Sequence, residues 1–271
     1  MIVVRVLSWN LFHGRDAPPD PSLQTWRSRL FRASESNATH LQVNRPLLAE
    51  FAQVLAREEW DVALLQEAPP RWAGELARRA GAEIACVPTS RNFGAPLRAF
   101  VAERNPDLIA SNEGGSNQLL VRPPWRIAET RTATLARWPE RRRMLCCRLE
   151  GPAAIWVGNL HASRQSERTA REVERAAELA VEWAAWKPLV FGGDLNLRPA
   201  RYPETFEALR TRFGLGDPTA PDAVDHLLAR GLELVEAPRR LEPERRELPG
   251  PDGLRIRLSD HAPVAATFGV R

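Results

Sequence analysis

Hydrophobic and polar positions follow two rhythms along the chain, and each rhythm predicts a different kind of element. Near-continuous apolar runs at 1–10, 60–67, 154–161 and 188–196 are typical of strands that are buried on both faces. Two longer segments, 44–60 and 166–186, repeat apolar residues every three or four positions, which predicts amphipathic helices. Because helices lie between buried strands, the pattern predicts an α/β fold in which helices pack over sheet.

Each of the four apolar runs ends on a polar side chain. The first three end at Asn10, Glu67 and His161, and the fourth ends at Asp194 with Asn196 two positions later. Two later segments carry an Asp-His pair beside an apolar run, namely Asp225-His226 and Asp260-His261. Strand ends are rigid and project side chains into the loops where sites are commonly built. We therefore expect these polar residues to share one crevice.

Proline-rich stretches at 15–21 and 237–253 predict surface loops, since proline removes a backbone donor and disrupts helix interiors. No repeat or linker divides the chain, so a single domain over 1–271 is expected.

Composition adds only weak constraints on function. The 38 basic residues include one lysine, Lys187, and exceed the 34 acidic residues by a net charge of +4, which mildly favours an anionic partner. Three cysteines, Cys86, Cys146 and Cys147, match neither a disulfide framework nor a zinc-binding spacing, so reduced, buried thiols are expected. No run has the form of a signal peptide or membrane span, and we expect a cytoplasmic protein without an obligate protein partner.

The polar strand ends favour one kind of chemistry. No G-x-S-x-G elbow for a serine nucleophile occurs, and the proposed crevice has no thiolate ligand. Carboxylate and carboxamide oxygens suit a hard cation such as Mg²⁺, with Mn²⁺ as a substitute. Imidazoles beside a phosphate neutralise charge that develops on its oxygens. The set therefore predicts metal-assisted attack of water on phosphorus.

Six short motifs in this order resemble the endonuclease/exonuclease/phosphatase family, the group that contains deoxyribonuclease I. They are SWNL at 8–11, LLQE at 64–67, NLHAS at 159–163, GGDLN at 192–196, VDH at 224–226 and SDH at 259–261. Each tripeptide alone is weak, whereas GGDLN and the terminal SDHAPV at 259–264 are fairly specific, and the six motifs together span almost the whole chain. The resemblance implies a four-layer α/β sandwich, in which two mixed β-sheets pack face to face with helices on the outside.

The resemblance also implies a role for each motif residue. Glu67 would be the principal metal ligand, and Asn10 and Asp260 would complete or support the metal site. Asp194 would deprotonate the attacking water, and Asn196 would hold that water or the phosphate. His261, oriented by Asp225, and His161 would contact the phosphate from two sides, and His161 would protonate the leaving oxygen. The only tyrosine, Tyr202, follows the GDLN motif, which disfavours an abasic-site-nuclease-like branch that uses a tyrosine elsewhere.

Several residues also have a structural interpretation. Asn10 alone could cap a turn, Glu67 could be a solvated strand terminus, and His161 could be a core histidine. His226 is expected to pack, His13 to lie in a loop, and Asn159 and Asn117 to be secondary site candidates. The run Arg141-Arg142-Arg143 fits a solvated hairpin tip better than a phosphate grip, and no regular basic-aromatic interleaving is visible.

The sequence thus predicts a Mg²⁺-dependent phosphodiesterase, with a nucleic-acid substrate favoured. A phosphatase or phosphodiesterase acting on a small or lipid phosphate is the alternative, because the same motifs serve both. A catalytically silent binding scaffold is the alternative from another class, since fold does not settle function.

Overall fold

The computed structural model describes residues 1–89, 94–138, 140–164, 167–216 and 218–270. Within them the strands are β1 Ile2–Asn10, β2 Glu35–Ser36, β3 Leu41–Gln42, β4 Val62–Ala68, β5 Glu83–Pro88, β6 Ser116–Val121, β7 Arg126–Ala136, β8 Arg142–Glu150, β9 Ile155–His161, β10 Leu189–Asp194, β11 Asp225–Arg230, β12 Glu233–Arg240, β13 Glu247–Pro249, β14 Arg255–Arg257 and β15 Val264–Val270. The helices are α1 Trp26–Phe31, α2 Leu48–Arg57, α3 Ala73–Ala80, α4 Ala95–Arg104, α5 Pro106–Ile109, α6 Glu167–Ala184 and α7 Pro203–Phe213.

Two large mixed sheets organise the chain. One has the strand order β12-β15-β1-β4-β6-β5, and the other has the order β11-β10-β9-β8-β7. In the first sheet β1 runs parallel to β4 and antiparallel to β15; in the second, β10 runs parallel to β9 and antiparallel to β11. The register of the second sheet places Asp194 opposite both His161 and Asp225. Strand pairing alone therefore brings these three predicted site residues together.

Apolar side chains form three successive layers of core. The middle layer lies between the sheets and joins residues such as Val6 and Leu64 to residues such as Val157 and Val190. The outer layers lie beneath helices: α2 and α3 cover the first sheet, and α6 and α7 cover the second. The predicted four-layer α/β sandwich is confirmed. Among the described helices, none has the length and apolar character needed to span a bilayer.

The predicted elements agree with the observed ones except at some boundaries. The two predicted helices correspond to α2 and α6, while Ser166 lies outside the described residues. The second predicted loop is partly wrong, because 237–240 completes the edge strand β12 and 247–249 forms β13. Proline is tolerated there because an edge strand leaves some backbone donors unpaired. Cys146 and Cys147 are buried as expected, whereas Cys86 is exposed on the edge strand β5.

Candidate active site

The ends of β1, β4, β9 and β10 and the beginnings of β11 and β15 meet at one edge of the two sheets. Direct contacts join the predicted residues there. The Glu67 carboxylate lies 3.6 Å from His161 Nε2, which lies 3.6 Å from Asp194 Oδ2. Asp194 Oδ2 lies 3.8 Å from His261 Nε2 and accepts a 3.0 Å hydrogen bond from Asn10. The expectation of one shared crevice thus agrees with the geometry, whereas the role of each residue stays a prediction.

A bulge in β4 presents Glu67 to this crevice. The register between β4 and β6 shifts between Leu65 and Ala68, so β4 has one extra residue there. Glu67 itself adopts a φ of +47°, which is uncommon for a side chain other than glycine. Bulges re-aim side chains next to active sites, and strained backbone of this kind concentrates at functional positions.

His13 is a neighbour of Glu67 that the sequence analysis assigned to a plain loop. Its Nε2 lies 3.2 Å from Glu67 Oε2, and the residue is buried in a short turn after β1. Burial alone would raise the pKa of Glu67, but its electrostatic interactions with the neighbouring imidazoles, His13 first, and with Arg142 outweigh burial and lower it. Glu67 therefore remains an ionised carboxylate surrounded by imidazoles.

Asp194 is buried at the end of β10 and is held by hydrogen-bond donors on both oxygens. Asn10 Nδ2 donates to Oδ2 at 3.0 Å, and the backbone N–H of Asn196 donates to Oδ1 at 3.1 Å. Burial raises the pKa of Asp194 above its ordinary value, although His261 and Asn10 oppose that rise. A carboxylate whose pKa is raised towards neutrality is a better proton acceptor than an ordinary aspartate.

The glycines before Asp194 have a steric explanation. Gly193 has a φ of +120°, and a Cβ at this position would lie 2.1 Å from the carbonyl oxygen of Leu160. A Cβ on Gly192 would lie 2.1 Å from the carbonyl oxygen of His226. The GGD sequence therefore lets β10 approach both neighbouring strands closely enough to place Asp194 between them.

His261 forms an acid–histidine pair with Asp225. Its Nδ1 donates to Asp225 Oδ2 at 2.8 Å, and its backbone N–H donates to Ser259 Oγ at 3.0 Å. Burial alone would lower the pKa of His261, but the carboxylates of Asp225 and Asp194 outweigh burial and raise it well above its ordinary value. The imidazole is therefore a cation at neutral pH, with Nε2 directed towards Asp194.

His161 has the opposite electrostatic character. Its Nδ1 lies 3.2 Å from Nη1 of the buried Arg142, and because a guanidinium only donates hydrogen bonds, Nδ1 must be the acceptor. The single proton of the ring is then on Nε2, which faces Glu67 and Asp194. Burial, followed by the charge of Arg142, lowers the pKa of His161 to about 3. His161 is therefore a neutral donor at physiological pH.

The expectation that the whole Arg141-Arg142-Arg143 run is solvated is wrong for Arg142. Arg142 begins β8 and is buried against His161, with a second hydrogen bond to Glu140. Arg143 is only half-buried and donates to Thr132 Oγ1 at 2.9 Å. The physical reason is strand pairing, because Met144 pairs with Leu160 and so brings the start of β8 to the end of β9.

The donor set fits a hard divalent cation. Glu67, Asn10 and Asp260 offer oxygen atoms. Asp260 is exposed, and it lies close enough to Glu67 and Arg15 for the charges of these groups to interact. A second group, Asp194, Asp225 and His261, has ligand-type atoms within 4.8 Å of one another. Within that group, however, His261 is an imidazolium that donates through Nδ1 to Asp225, so neither ring nitrogen offers a lone pair to a metal. The oxygen set around Glu67 is therefore the better candidate.

The remaining candidates lie outside the reacting edge. Asn159 donates to the carbonyls of Leu65 and Gln118 and links the two sheets beneath the site. Asn117 donates to the carbonyl of Arg143 at 2.8 Å, also between the sheets. The buried His226 contacts the carbonyls of Leu197 and Ala223 and packs against Phe206, which agrees with the expected packing role. Neither asparagine contacts a predicted catalytic side chain among the contacts that the described residues make.

The chain is similar to known proteins in both sequence pattern and fold. The model of the endonuclease/exonuclease/phosphatase family matches residues 7–261. Similar solved structures include the human Nocturnin catalytic domain with a bound sulfate anion (15% identity, TM-score 0.65, 99% of this chain and 95% of that chain). A mannosyl-6-phosphatase of Bacteroides thetaiotaomicron is also similar (15% identity, TM-score 0.64, 97% of this chain and 98% of that chain). So is truncated TDP2 of Caenorhabditis elegans (16% identity, TM-score 0.59, 99% of this chain and 98% of that chain).

At these identities the solved structures establish the fold alone, and no curated protein sequence matches the chain. The family match is of another kind, because it spans the chain from the first motif to the last. Members of this family are phosphoester hydrolases and generally depend on a divalent metal ion. The chain belongs to the endonuclease/exonuclease/phosphatase family and is a hydrolase of ester bonds.

Proposed function

We propose that the chain hydrolyses phosphodiester bonds in nucleic acids by attack of water on phosphorus, with Mg²⁺ or Mn²⁺ as cofactor. One observation carries this proposal. A buried carboxylate, Asp194, lies 3.8 Å from an imidazolium, His261, at the edge where Glu67 presents its own carboxylate. A proton acceptor, a cation and a hard-metal ligand in one crevice are what this reaction requires.

Glu67 would hold the metal ion, with Asn10 and Asp260 completing or supporting its site. When bound, the ion would supply Lewis-acid neutralisation of charge on the phosphoryl oxygens. His13 supports this arrangement, because its contact with Glu67 Oε2 at 3.2 Å fixes the direction in which the carboxylate points. Its role is thus to position a ligand.

Asp194 would accept the proton of the attacking water. Its two hydrogen bonds, from Asn10 and from the Asn196 backbone, fix the carboxylate plane while leaving one lone pair on each oxygen. The Asn196 side chain donates to the Ala162 carbonyl at 3.1 Å, so it also fastens the end of β10 to the loop after β9. We infer that Asn196 orients the water or phosphate as part of this rigid edge.

The two histidines would contact the phosphate with different charges. His261 brings a full positive charge that Asp225 sustains, and that charge favours the dianionic transition state over the monoanionic ground state. His161 brings a neutral N–H whose direction Arg142 fixes. A neutral imidazole with a pKa of about 3 donates a hydrogen bond well but transfers a proton poorly, so we infer that the leaving oxygen takes its proton from water.

A nucleic-acid substrate is favoured by charge. The chain has a net charge of +4, and nearly all its basic groups are arginines, which bind phosphate oxygens in pairs. The structural likeness to a mannosyl-6-phosphatase keeps a small phosphate ester as the second candidate. A silent binding scaffold has no use for Asp194, His261 and Glu67 arranged in this way.

A substrate panel tests the proposal. Purified protein with Mg²⁺ is assayed on single- and double-stranded DNA and RNA, on inositol and sugar phosphates, and on a choline phospholipid, each across a salt series. Polynucleotide turnover whose binding weakens steeply with salt is expected, because each phosphate contacted by arginine releases counterions. If a small or lipid phosphate is hydrolysed and no polynucleotide is, the proposed nucleic-acid substrate is wrong, while the proposed attack of water on phosphorus stands.

A further inference from the structure

Helix α1 exposes apolar and cationic side chains on the same surface. Of the residues at 26–32, only Ser28 is buried, and exposed fractions reach 67% for Trp26, 54% for Leu30 and 67% for Phe31. The other exposed side chains are three arginines, Arg27, Arg29 and Arg32, and the segment has no acidic residue. Basic and aromatic residues are therefore interleaved here, which the sequence analysis did not recognise.

Helices α4 and α5 extend this surface. Leu97, Phe100 and Leu108 are 70%, 53% and 48% exposed. Six of the twelve large apolar side chains exposed in the described part of the chain thus belong to α1, α4 and α5. Such clustering marks an interaction site more often than chance exposure does. Asn105, which precedes α5, donates to the Arg29 carbonyl at 2.9 Å and joins α5 to α1. We call α1, α4 and α5 together the aromatic–arginine surface.

Arg15 connects this surface to the candidate active site. Its Nη1 lies 3.7 Å from Asp107 Oδ1 on α5, and Arg15 and Arg29 line the same small cavity. On its other side, Arg15 is near enough to Glu67 and Asp260 for their charges to act on its pKa. Arg15 therefore lies between the candidate active site and the helices α1 and α5.

We propose that the aromatic–arginine surface binds the single-stranded nucleic acid that extends from the scissile phosphate, an inference that rests on the proposed function. Exposed rings stack on unpaired bases, and the interleaved arginines meet the phosphates between them. The Arg104 guanidinium lies 3.6 Å from the Phe100 ring centroid and covers one face of that ring, so Trp26 and Phe31 are the main candidates for base stacking. A duplex is disfavoured because its bases stack on one another, so their faces are not accessible to the exposed rings.

Charge and arrangement favour a nucleic acid over a membrane. The two carboxylates on α4 and α5 are already bonded: Glu103 to Arg71, and Asp107 to Gln42 at 2.6 Å. The charge of Arg29 also acts on Asp107, whereas Arg27 and Arg32 form no ion pair within the described residues and are therefore available to an external anion. A helix that lies on a bilayer separates its apolar face from its cationic face. In α1, by contrast, about 100° of rotation per residue places Arg27 between Leu30 and Phe31 around the helix axis. The apolar side chains, whose Trp26 and Phe31 rings lie 5.7 Å apart, are therefore interrupted by a cation.

The test separates binding from turnover. Trp26→Ala, Phe31→Ala and Arg27→Gln are compared with Trp186→Ala, an 88% exposed tryptophan that follows α6. Binding of an unstructured oligonucleotide of about 15 nucleotides, a length near the upper site size of single-strand binders, is measured by fluorescence anisotropy. These measurements use the Asp194→Asn background with Mg²⁺, so that the strand is not cleaved. Turnover of the same oligonucleotide, its duplex and a dinucleotide is measured in the otherwise unmodified protein.

Each aromatic variant should weaken oligonucleotide binding at least about fivefold, since one stacked base contributes about 1–3 kcal/mol. Arg27→Gln should lower the salt slope by about 0.7. Dinucleotide turnover should not change, and Trp186→Ala should match the unmodified protein.

If polynucleotides are cleaved but the aromatic variants bind normally, this surface has no such role although the proposed function stands. The same conclusion follows if these variants instead lose binding to vesicles of anionic lipid. If the unmodified protein cleaves no polynucleotide, the proposed function itself fails.

Discussion

Replacing Arg142 with glutamine isolates the role of a residue that touches no proposed metal ligand. In the structure its guanidinium donates to His161 Nδ1 at 3.2 Å and to Glu140. Glutamine is shorter and uncharged, so it leaves His161 free to move its proton to Nδ1 or to rotate. In either case the Nε2–H that faces Asp194 and Glu67 is no longer fixed.

The size of the effect follows from the type of bond that is lost. A hydrogen bond that involves a charged group contributes about 1.5–3 kcal/mol. If this contribution holds His161 in its reactive orientation, kcat/KM should fall about 10- to 150-fold, since 1.36 kcal/mol corresponds to a tenfold change in rate. Overall stability should change less, because Arg142 lies at the first residue of β8 and not within the apolar core.

A double-mutant cycle is the appropriate assay. kcat/KM is measured for Arg142→Gln, His161→Ala and the double variant, with Arg143→Gln as the matched control, since Arg143 is half-buried and bonds to Thr132 instead. In the His161→Ala background, Arg142→Gln should lower kcat/KM only slightly, because the bond to His161 is already absent. The small remaining decrease reflects the long-range effect of the Arg142 charge on the Glu67 carboxylate. Nitrogen NMR should also show the His161 proton on Nε2 in the unmodified protein and a mixture of tautomers in Arg142→Gln.

Two results would refute this reasoning. The first is full additivity of the two substitutions, which would mean that Arg142 acts independently of His161. The second is a His161 ring whose proton is on Nδ1 in the unmodified protein, because that form cannot accept a bond from Arg142.

Further predictions follow from single features of the structure. Chelation should abolish turnover and added Mg²⁺ or Mn²⁺ should restore it; full turnover in excess chelator would rule out the metal site. Gly193→Ala should lower the free energy of unfolding in urea by roughly 2–4 kcal/mol, because its Cβ would lie 2.1 Å from the Leu160 carbonyl, whereas Gly74→Ala, with open space around it, should cause no loss. Burial raises the pKa of Asp16 to about 7, so its charge opposes folding increasingly as pH rises from about 4 to about 7. The stability of Asp16→Asn relative to the unmodified protein should therefore grow by up to about 4 kcal/mol over that range, and equal pH dependence of the two proteins would contradict this assignment.

Features set by local sequence were predictable. The apolar runs that end at Asn10, Glu67, His161 and Asp194 are strands that end there or, for Glu67, one residue later, because a strand buried on both faces has little other interpretation. The order of the motifs, together with the family resemblance, then predicted the four-layer fold.

Features that depend on register and on unusual backbone were not predictable. His13 reaches Glu67 only because Phe12 and His13 adopt φ values of +49° and +56°, which turn the chain back towards β4. Which arginine of the 141–143 run is buried depends on the register of β8 against β9, and this register is set by pairing across the hairpin. The aromatic–arginine surface depends on how α1 docks against α5, a contact between segments distant in sequence.

Turnover of a chromogenic phosphodiester tests the central claim most directly. Bis(p-nitrophenyl) phosphate is small enough to report the chemistry at phosphorus without the binding surface. With Mg²⁺, Asp194→Asn and His261→Ala should each lower kcat by about 10²–10⁴-fold while the proteins remain folded, as shown by unchanged cooperative unfolding. Near-normal turnover by either folded variant would contradict the account of this edge as the catalytic site.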